Sequence, residues 1–224
     1  MTSSYLKGKV IQEITVTSDT QPGFYMELNM GFTVDSAFVD GKPAIISRGG
    51  DFDLTLFAEN SYKNGEKLRM EVCYSGWPRE NTALYRETHG TAGILFSLSE
   101  PYGCRDWYPG KNDLTDKMDS VVMRFHTQPE FRVAANGLLQ SDTLIGGERL
   151  TVWKHHYPVA FYLLGFAATN YVSYTDTAWV SGKPIPIQNF IYPETADLIR
   201  KQASHRPFRL WNCSVKCSTL SVCT

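Results

Sequence analysis

The sequence lacks the short motifs that most hydrolases and nucleotide-binding proteins carry. No His-Glu-x-x-His segment occurs among its 224 residues, which excludes a zinc site of that peptidase type. A Gly-x-Ser-x-Gly elbow and a phosphate-binding glycine loop are also absent, so neither a serine nucleophile of that kind nor a nucleotide site is predicted. None of these motifs therefore indicates a catalytic activity for this chain.

The chain also lacks an excess of charge and a long apolar run. Its 22 basic and 23 acidic residues give a net charge of −1, which offers no electrostatic attraction for nucleic acid or an anionic membrane. The most apolar stretch, Tyr157 to Ala168, contains Pro158 and Gly165 and is shorter than the roughly 20 residues of a membrane span. The first residues lack the layout of a secretory signal. We expect a cytoplasmic location for the chain as expressed, and the location of a longer parent protein stays open.

Cysteine is scarce and unevenly placed. Cys73 and Cys104 stand alone in the first 200 residues, and the other three occur at Cys213, Cys217 and Cys223. An odd total of five argues against a closed disulfide framework, so the first two are predicted to be reduced residues in or near the core. The spacing of the last three matches no common zinc pattern. No metal site is predicted.

What the sequence has in abundance is alternation of apolar and polar residues, the period of β-strands. The stretches with this period are 10–16, 24–30, 32–39, 52–56, 68–72, 120–127, 131–139, 150–155, 161–168, 171–180 and 185–187. Asp40-Gly41 is a strong hairpin signal between two of them. Residues 76–89 show no sustained period and are predicted to be a long loop. Many short strands with regular turns predict an all-β fold, a large β-sandwich or curved double sheet.

One helix is predicted, near the end of the chain. It begins at Pro193, which is permitted in a first turn, and runs to about Gln202, with Glu194 and Asp197 near its positive end. After Asp197 the sequence is basic and then rich in Cys, Ser and Thr. Two interpretations stay open for this tail: an ordinary flexible C-terminus, or an extension read in a shifted frame.

The segment Phe96 to Asp119, FSLSEPYGCRDWYPGKNDLTDKMD, is the most distinctive of the chain. It resembles the signature of the N-terminal, zinc-free domain of aminopeptidase N-type metallopeptidases. Further segments resemble that family in the same order, at 131–139 with Ala134-Ala135-Asn136-Gly137, at 153–163, and at Tyr192-Pro193-Glu194. The resemblance covers about Tyr5 to Gln202. It divides the chain into residues 1–192, the β domain, and residues 193–224, the start of a helix leading to a missing zinc domain.

The resemblance implies a saddle-shaped β domain that flanks the active-site cleft of a zinc aminopeptidase, with the zinc held by the missing domain and no cofactor in this chain. It also implies that Glu100 helps to bind the free α-amino group of a peptide substrate, since a carboxylate attracts a cationic amine. Leu98 stands where the family often has glutamine, which departs from the expected amine-binding arrangement. The chain is expected to be non-catalytic by itself.

Arg105 is expected to have a structural role rather than a ligand-binding one. It lies among aromatic residues and close in sequence to several acids, including Asp113 and Asp119, so its guanidinium is predicted to pair with a carboxylate and stack on a ring. The acids at 113, 116 and 119 could also suggest calcium, but they lack the glycine and the terminal glutamate of an EF-hand.

An alternative function is an autonomous module that binds a peptide or a glycan. Its support is an aromatic content of 13%, and exposed loop aromatics would favour it whereas buried ones would not. The aromatic residues in or near predicted loops are Trp77, Tyr85, Tyr102, Trp107 and Tyr108. A chain without its zinc domain would also uncover an apolar interface, so self-association is expected.

Overall fold

The computed structural model of the protein describes residues 5–19, 21–79 and 82–198, and these residues form antiparallel β-strands joined by turns. The strands are β1 (Leu6–Thr15), β2 (Gln21–Glu27), β3 (Phe32–Val39), β4 (Lys42–Pro43), β5 (Ile45–Gly49), β6 (Asp53–Tyr62), β7 (Lys67–Gly76), β8 (Leu84–His89), β9 (Ala92–Ser97), β10 (Val121–Thr127), β11 (Arg132–Ala135), β12 (Leu138–Ile145), β13 (Glu148–His155), β14 (Phe166–Thr169), β15 (Val172–Val180) and β16 (Lys183–Ile191). Short 3₁₀ helices occur at Gly103–Asp106, Phe161–Leu163 and Pro193–Thr195.

The strands pair into small sheets rather than one continuous sheet. Two sheets contain four strands, in the orders β1-β7-β3-β4 and β11-β14-β9-β8, and two contain three strands, in the orders β2-β6-β5 and β10-β13-β12. β15 and β16 form a two-stranded sheet. All of the pairings between the described strands are antiparallel, and the longest, between β1 and β7, runs from Leu6 opposite Gly76 to Thr15 opposite Lys67.

The core follows directly from the alternation in the sequence. Successive side chains of a strand point to opposite faces, so in a strand with one buried face every second residue is buried. In β6, Leu54 and Leu56 are fully buried, and in β2, Met26 is 1% exposed. In β3 the alternation changes phase, because a bulge between Val34 and Ser36 shifts the pairing with β7 by one residue and thereby turns the following side chains to the other face.

The hairpin turns have the backbone that their sequences predict. Asp40 and Gly41, between β3 and β4, have φ angles of 48° and 77°. Ser181 and Gly182, between β15 and β16, have φ angles of 50° and 75°. Two successive positive φ angles are the requirement of a two-residue hairpin turn, where Asp-Gly is a preferred pair. The hairpin predicted at Asp40-Gly41 is confirmed.

The chain divides into two compact units, residues 1–170 and residues 171–224. In the described residues, the first unit contains β1 to β14. The second contains the β15–β16 hairpin, which places Pro184 and Pro186 in a strand paired on one side only. At the base of this hairpin the ring of Tyr171 stacks on that of Tyr192, with 5.6 Å between centroids. Proline fits here because the other edge of the strand needs no donor from it.

The predicted all-β class is confirmed, and two local predictions are wrong. Residues 84–89, predicted to be part of a loop, form β8, which pairs with β9 from Leu84 opposite Ser97 to His89 opposite Ala92. Residues 161–168, predicted to be a strand, begin as a 3₁₀ turn and become β14 only at Phe166.

The chain's end is described only in part. The helical backbone predicted to begin at Pro193 does begin there and extends to residue 198, and the rest of that helix and the basic tail lie outside the described residues. The predicted division at residues 192 and 193 stays a prediction. Among the described residues, none lies in a helix long and apolar enough to span a membrane.

Candidate functional site

The predicted substrate-binding residues lie on the loop that leaves β9. Leu98 is 53% exposed and Glu100 is also exposed. Ser99 lies between them and is only 3% exposed. The loop therefore presents two side chains to solvent while the residue between them is anchored in the protein.

Ser99 is held by two hydrogen bonds. Its Oγ accepts a hydrogen bond from Trp107 Nε1 at 2.9 Å, and its carbonyl oxygen accepts one from the backbone N–H of Gly103 at 2.7 Å. One residue earlier, the backbone N–H of Leu98 donates to the carbonyl of Ala83 at 2.9 Å. A buried donor or acceptor without a partner is costly, and here the buried polar atoms satisfy one another, so the path of the loop is well defined.

Arg105 lies at the other end of the same loop and contacts residues distant in sequence. Its Nη1 donates to Glu27 Oε2 at 2.9 Å, and the guanidinium lies 3.8 Å from the centroid of the Phe52 ring. The pair is partly buried, with side-chain exposures of 29% for Arg105 and 19% for Glu27. The structure thus places the guanidinium against a carboxylate of β2, rather than against the acids close to it in sequence.

Glu27 is the hub of a wider polar network. Besides Arg105, its Oε2 accepts a hydrogen bond from Asn112 Nδ2 at 2.7 Å. Its backbone N–H and carbonyl pair with those of Gly110, at 2.8 Å and 3.2 Å, so the loop is also bound to the edge of β2. Asn112 adopts a φ of 58°, a conformation that asparagine tolerates better than most residues, and this turns its amide toward Glu27.

Cys104 belongs to this network as a buried thiol. Its Sγ donates to Asn112 Oδ1 at 3.0 Å. Burial, together with the nearby Glu27 carboxylate, raises the pKa of the thiol from its ordinary value of 9.0 to about 12. The group is therefore a neutral packing residue and not a nucleophile, and no described cysteine forms a disulfide with it.

The two acids predicted to act structurally have different surroundings. Asp113 Oδ1 accepts hydrogen bonds from the backbone N–H and the hydroxyl of Thr115 and from the backbone N–H of Asp116. These bonds hold the pKa of Asp113 below its ordinary value. Asp113 therefore closes a local turn, as aspartate often does. Asp119 is exposed, and no hydrogen bond or ion pair to another described residue involves it.

A second polar contact anchors the loop to the chain after β2. The buried carboxylate of Asp106 accepts a hydrogen bond from Asn29 Nδ2 at 2.7 Å. The backbone N–H of Asn29 donates to the carbonyl of Arg105 at 2.8 Å. Together with the Glu27 contacts, these bonds fix the loop to the protein on its inner side.

The aromatic residues of the segment are divided between core and surface. Trp107 and Tyr108 are 8% and 6% exposed, with their rings 4.5 Å apart in an edge-to-face arrangement. Trp77 and Tyr102 are 51% and 48% exposed, and Tyr85 stacks on Phe96. The buried rings of Trp107 and Tyr108 pack against the core and stabilise the loop, whereas the exposed rings of Trp77 and Tyr102 are accessible to a ligand.

A shallow depression of about 490 Å³ lies beside the loop, lined by Tyr25, Tyr102 and residues 111–114. Most of its polar groups already have partners in the protein. Tyr25 Oη donates to Asp53 Oδ1 at 2.9 Å, and Lys111 Nζ pairs with Asp116. Burial and the neighbouring acids raise the pKa of Tyr25 to about 12. What the depression offers a ligand is chiefly contact with the exposed side chains of Tyr25, Tyr102 and Leu114.

The described residues do not fit the zinc ion that the resemblance implies for the whole enzyme. Among them, no group of three or more His, Cys, Asp or Glu side chains is arranged to hold a metal ion. No step of chemistry is therefore assigned to a metal in this chain.

Sequence reasoning missed the members of the site that come from β2 and the residues after it. Glu27 and Asn29 are separated from their partners on the loop by 78 and 77 residues. Nothing in the sequence around them signals the contact, because the fold brings together segments that are distant in the sequence. The one local signal is the charge of Glu27 in an otherwise uncharged strand.

Comparison with solved structures identifies the fold. An M1 zinc metallopeptidase from Deinococcus radiodurans matches with a TM-score of 0.72 and 20% identity, over 88% of this chain and 48% of that chain. A two-domain M1 zinc metallopeptidase variant bound to L-arginine matches with a TM-score of 0.73 and 18% identity, over 87% of this chain and 47% of that chain. A variant of the Deinococcus enzyme was solved with a Tyr-Ser-Ala substrate, and it matches equally well.

These matches rest on structure and not on sequence. No family model matches the chain, and no curated protein sequence does either. The chain spans about half the length of the structures that it resembles. The resemblance read from the sequence is thus confirmed in the fold, and the chain has the fold of about half of an M1 zinc metallopeptidase.

Proposed function

We propose that this chain is the zinc-free, N-terminal domain of an M1-type aminopeptidase, non-catalytic by itself, in which Glu100 binds the α-amino group of the substrate. The observation that carries the proposal is the presentation of Glu100. An exposed carboxylate lies on a loop whose neighbouring residue is buried and hydrogen bonded, in a domain with the fold of about half of such an enzyme.

The ligands of the similar structures support an amine-binding role. Tyr-Ser-Ala, L-arginine and L-tryptophan accompany those proteins, and each carries a free α-amino group. A carboxylate favours a cationic amine over a neutral acetylated one, most strongly where water is excluded. Leu98 cannot accept a hydrogen bond from the ammonium group, so in this chain Glu100 would hold the amine without help from that position.

The non-catalytic status is tested directly with the purified chain. We expect no hydrolysis of aminoacyl anilides, with or without added zinc, and no stoichiometric zinc by elemental analysis after dialysis. One equivalent of bound zinc together with turnover would refute this part of the proposal.

The role of Glu100 is tested by NMR titration of the ¹⁵N-labelled chain with Tyr-Ser-Ala and with its N-acetylated form. The free peptide is expected to shift the backbone amides of Leu98, Glu100 and Tyr102, and the acetylated peptide to leave them unchanged. Glu100→Gln should weaken binding about threefold, since an exposed ion pair contributes little. Glu13→Gln is the matched control, because Glu13 is an exposed glutamate of a different sheet. Equal binding of both peptides would contradict the assignment.

The alternative, an autonomous module that binds a peptide or a glycan, has one observation in its favour. The exposed rings of Tyr25 and Tyr102 border the depression beside the loop, and such rings commonly contact sugars and peptides. In the same titration, shifts at Tyr25 and Leu114 with acetylated peptide or an oligosaccharide, without shifts at Glu100, would favour this function.

We also propose that the isolated chain associates with itself through surface that a zinc domain would cover. Large apolar side chains are well exposed, among them Ile45 at 74% and Leu144 at 61%, and surfaces of this kind tend to find partners. A strictly monomeric mass by light scattering at high protein concentration would contradict self-association.

A further inference from the structure

We infer that Ser99 and Trp107 are positioning residues, whose mutual hydrogen bond sets the place and the rigidity of the Glu100 carboxylate. This inference rests on the proposed amine-binding role of Glu100 for its meaning, but one of its tests does not depend on that role. Neither residue needs to touch the substrate.

The first support is the contrast in exposure along three residues. Leu98 is 53% exposed, Ser99 is 3% exposed and Glu100 is exposed again. A serine between two exposed residues can face water, where its hydroxyl needs no partner in the protein. Here its hydroxyl is buried and accepts a hydrogen bond from the indole N–H of Trp107, at 2.9 Å.

The second support is that the indole itself cannot easily move. Trp107 packs edge-to-face on Tyr108, at 4.5 Å, and at a tilt against Phe166, at 5.3 Å between centroids. The carbonyl oxygen of Trp107 accepts a hydrogen bond from the hydroxyl of Tyr74 at 2.7 Å. The indole N–H that binds Ser99 is therefore part of the packed core, and this hydrogen bond restricts the motion of the serine.

The third support is that the loop closes tightly behind Glu100. The backbone N–H of Gly103 donates to the carbonyl of Ser99 at 2.7 Å. A side chain at Gly103 would meet the Cβ of Ala83 at 2.8 Å, so glycine is needed for this close approach. The carbonyl oxygen of Ala83 also accepts a hydrogen bond from the backbone N–H of Leu98. The loop is thus fixed on both sides of Glu100.

A rigid carboxylate binds an amine better than a mobile one, because less conformational entropy is lost on binding. Ser99→Ala removes only the hydroxyl. We expect this variant to weaken the binding of Tyr-Ser-Ala to the full chain as much as Glu100→Gln does, although it removes no charge. The double variant should bind no more weakly than Glu100→Gln, since the serine acts through the glutamate.

Two further variants separate positioning from general stability. Ser99→Thr keeps the hydroxyl and should retain binding. Thr169→Val removes another buried hydroxyl, on β14, which donates to the Gly93 carbonyl at 2.7 Å and lies 2.9 Å from His89 Nε2. Gly93 is near the start of β9, whereas the loop leaves the end of that strand. Thr169→Val should lower the melting temperature about as much as Ser99→Ala and leave peptide binding unchanged.

Backbone relaxation provides the readout that is independent of the ligand. In the wild type and in Thr169→Val, the order parameters of the Leu98 and Glu100 amides should be near 0.85, the value of a rigid backbone, and in Ser99→Ala they should fall toward about 0.6. Unchanged order parameters in Ser99→Ala would overturn the inference. If the wild type bound free and acetylated peptide equally, the proposed function would fail, and relaxation would still decide whether Ser99 fixes the loop.

Discussion

Replacing Glu27 by glutamine should destabilise the protein far more than the same change at a surface glutamate. In the native protein, Glu27 Oε2 accepts one hydrogen bond from Arg105 at 2.9 Å and one from Asn112 at 2.7 Å. Glutamine keeps the shape and one acceptor oxygen but removes the charge. The Asn112 bond becomes a neutral one and loses about 1 kcal/mol, since a hydrogen bond to a charged group contributes about 1.5–3 kcal/mol and a neutral one about 0.5–1.5 kcal/mol. The Arg105 bond keeps its charged donor but loses the attraction of a half-buried ion pair, about 1 kcal/mol more.

The expected loss is therefore about 2 kcal/mol in the free energy of unfolding. For a chain of this size that corresponds to a fall of about 4–8 °C in melting temperature. Urea denaturation followed by tryptophan fluorescence measures the free energy. Glu59→Gln is the control, because the Lys42–Glu59 pair is 58% and 67% exposed and exposed pairs contribute little. Equal stability of the two variants would refute the view that Glu27 holds the loop.

Three further predictions concern the buried thiol of Cys104 and the backbone at two glycines. Because burial raises the pKa of Cys104 to about 12, the thiol should resist iodoacetamide at pH 8.5 in the folded protein and react in urea, as peptide mapping can show; alkylation of the native thiol would contradict the assignment. Since the folded state keeps this proton and the unfolded state loses it above about pH 9, the free energy of unfolding should decrease as pH rises toward 12, and less so in Cys104→Ala. Gly137→Ala should lower the free energy of unfolding, measured by chemical denaturation, by about 3 kcal/mol or more. Gly137 has a φ of 97°, and a Cβ there would lie 2.3 Å from a backbone carbonyl oxygen of β13. Gly147 has a φ of 87°, and a Cβ there would meet nothing within 4 Å, so Gly147→Ala introduces only backbone strain and should lower the free energy of unfolding by about 1–2 kcal/mol. Equal losses of stability in the two variants would show that the protein relieves the clash at Gly137 by moving.

The strands could be predicted wherever one face is buried and the other is not. Phe24, Met26 and Leu28 alternate in the sequence and are all buried, because the period of a strand and the period of burial coincide. β8 could not be predicted this way. Of its six residues only Leu84 is buried, so its apolar pattern is weak and the strand exists because β9 offers it a partner.

The candidate site could be predicted only for residues that are neighbours in sequence. The segment 96–119 carried the signal, and the exposed Leu98 and Glu100 were named from it. The residues that hold the segment in place, Glu27 and Asn29, come from another part of the chain. Their identity depends on which distant segments the fold brings together, and a single sequence contains no direct record of that.

The contacts of Glu27 have a consequence for biosynthesis. Its partner Arg105 follows it by 78 residues, so during synthesis the glutamate leaves the ribosome several seconds earlier, at about 5–20 residues per second. Until the later segment arrives, the edge of β2 near Glu27 has neither its Gly110 backbone partner nor its counter-charge. This part of the fold must therefore wait for most of the first unit to be made, and contacts so distant in sequence are slow to form. A break in translation before residue 105 would release a chain in which Glu27 lacks its partners Arg105, Gly110 and Asn112.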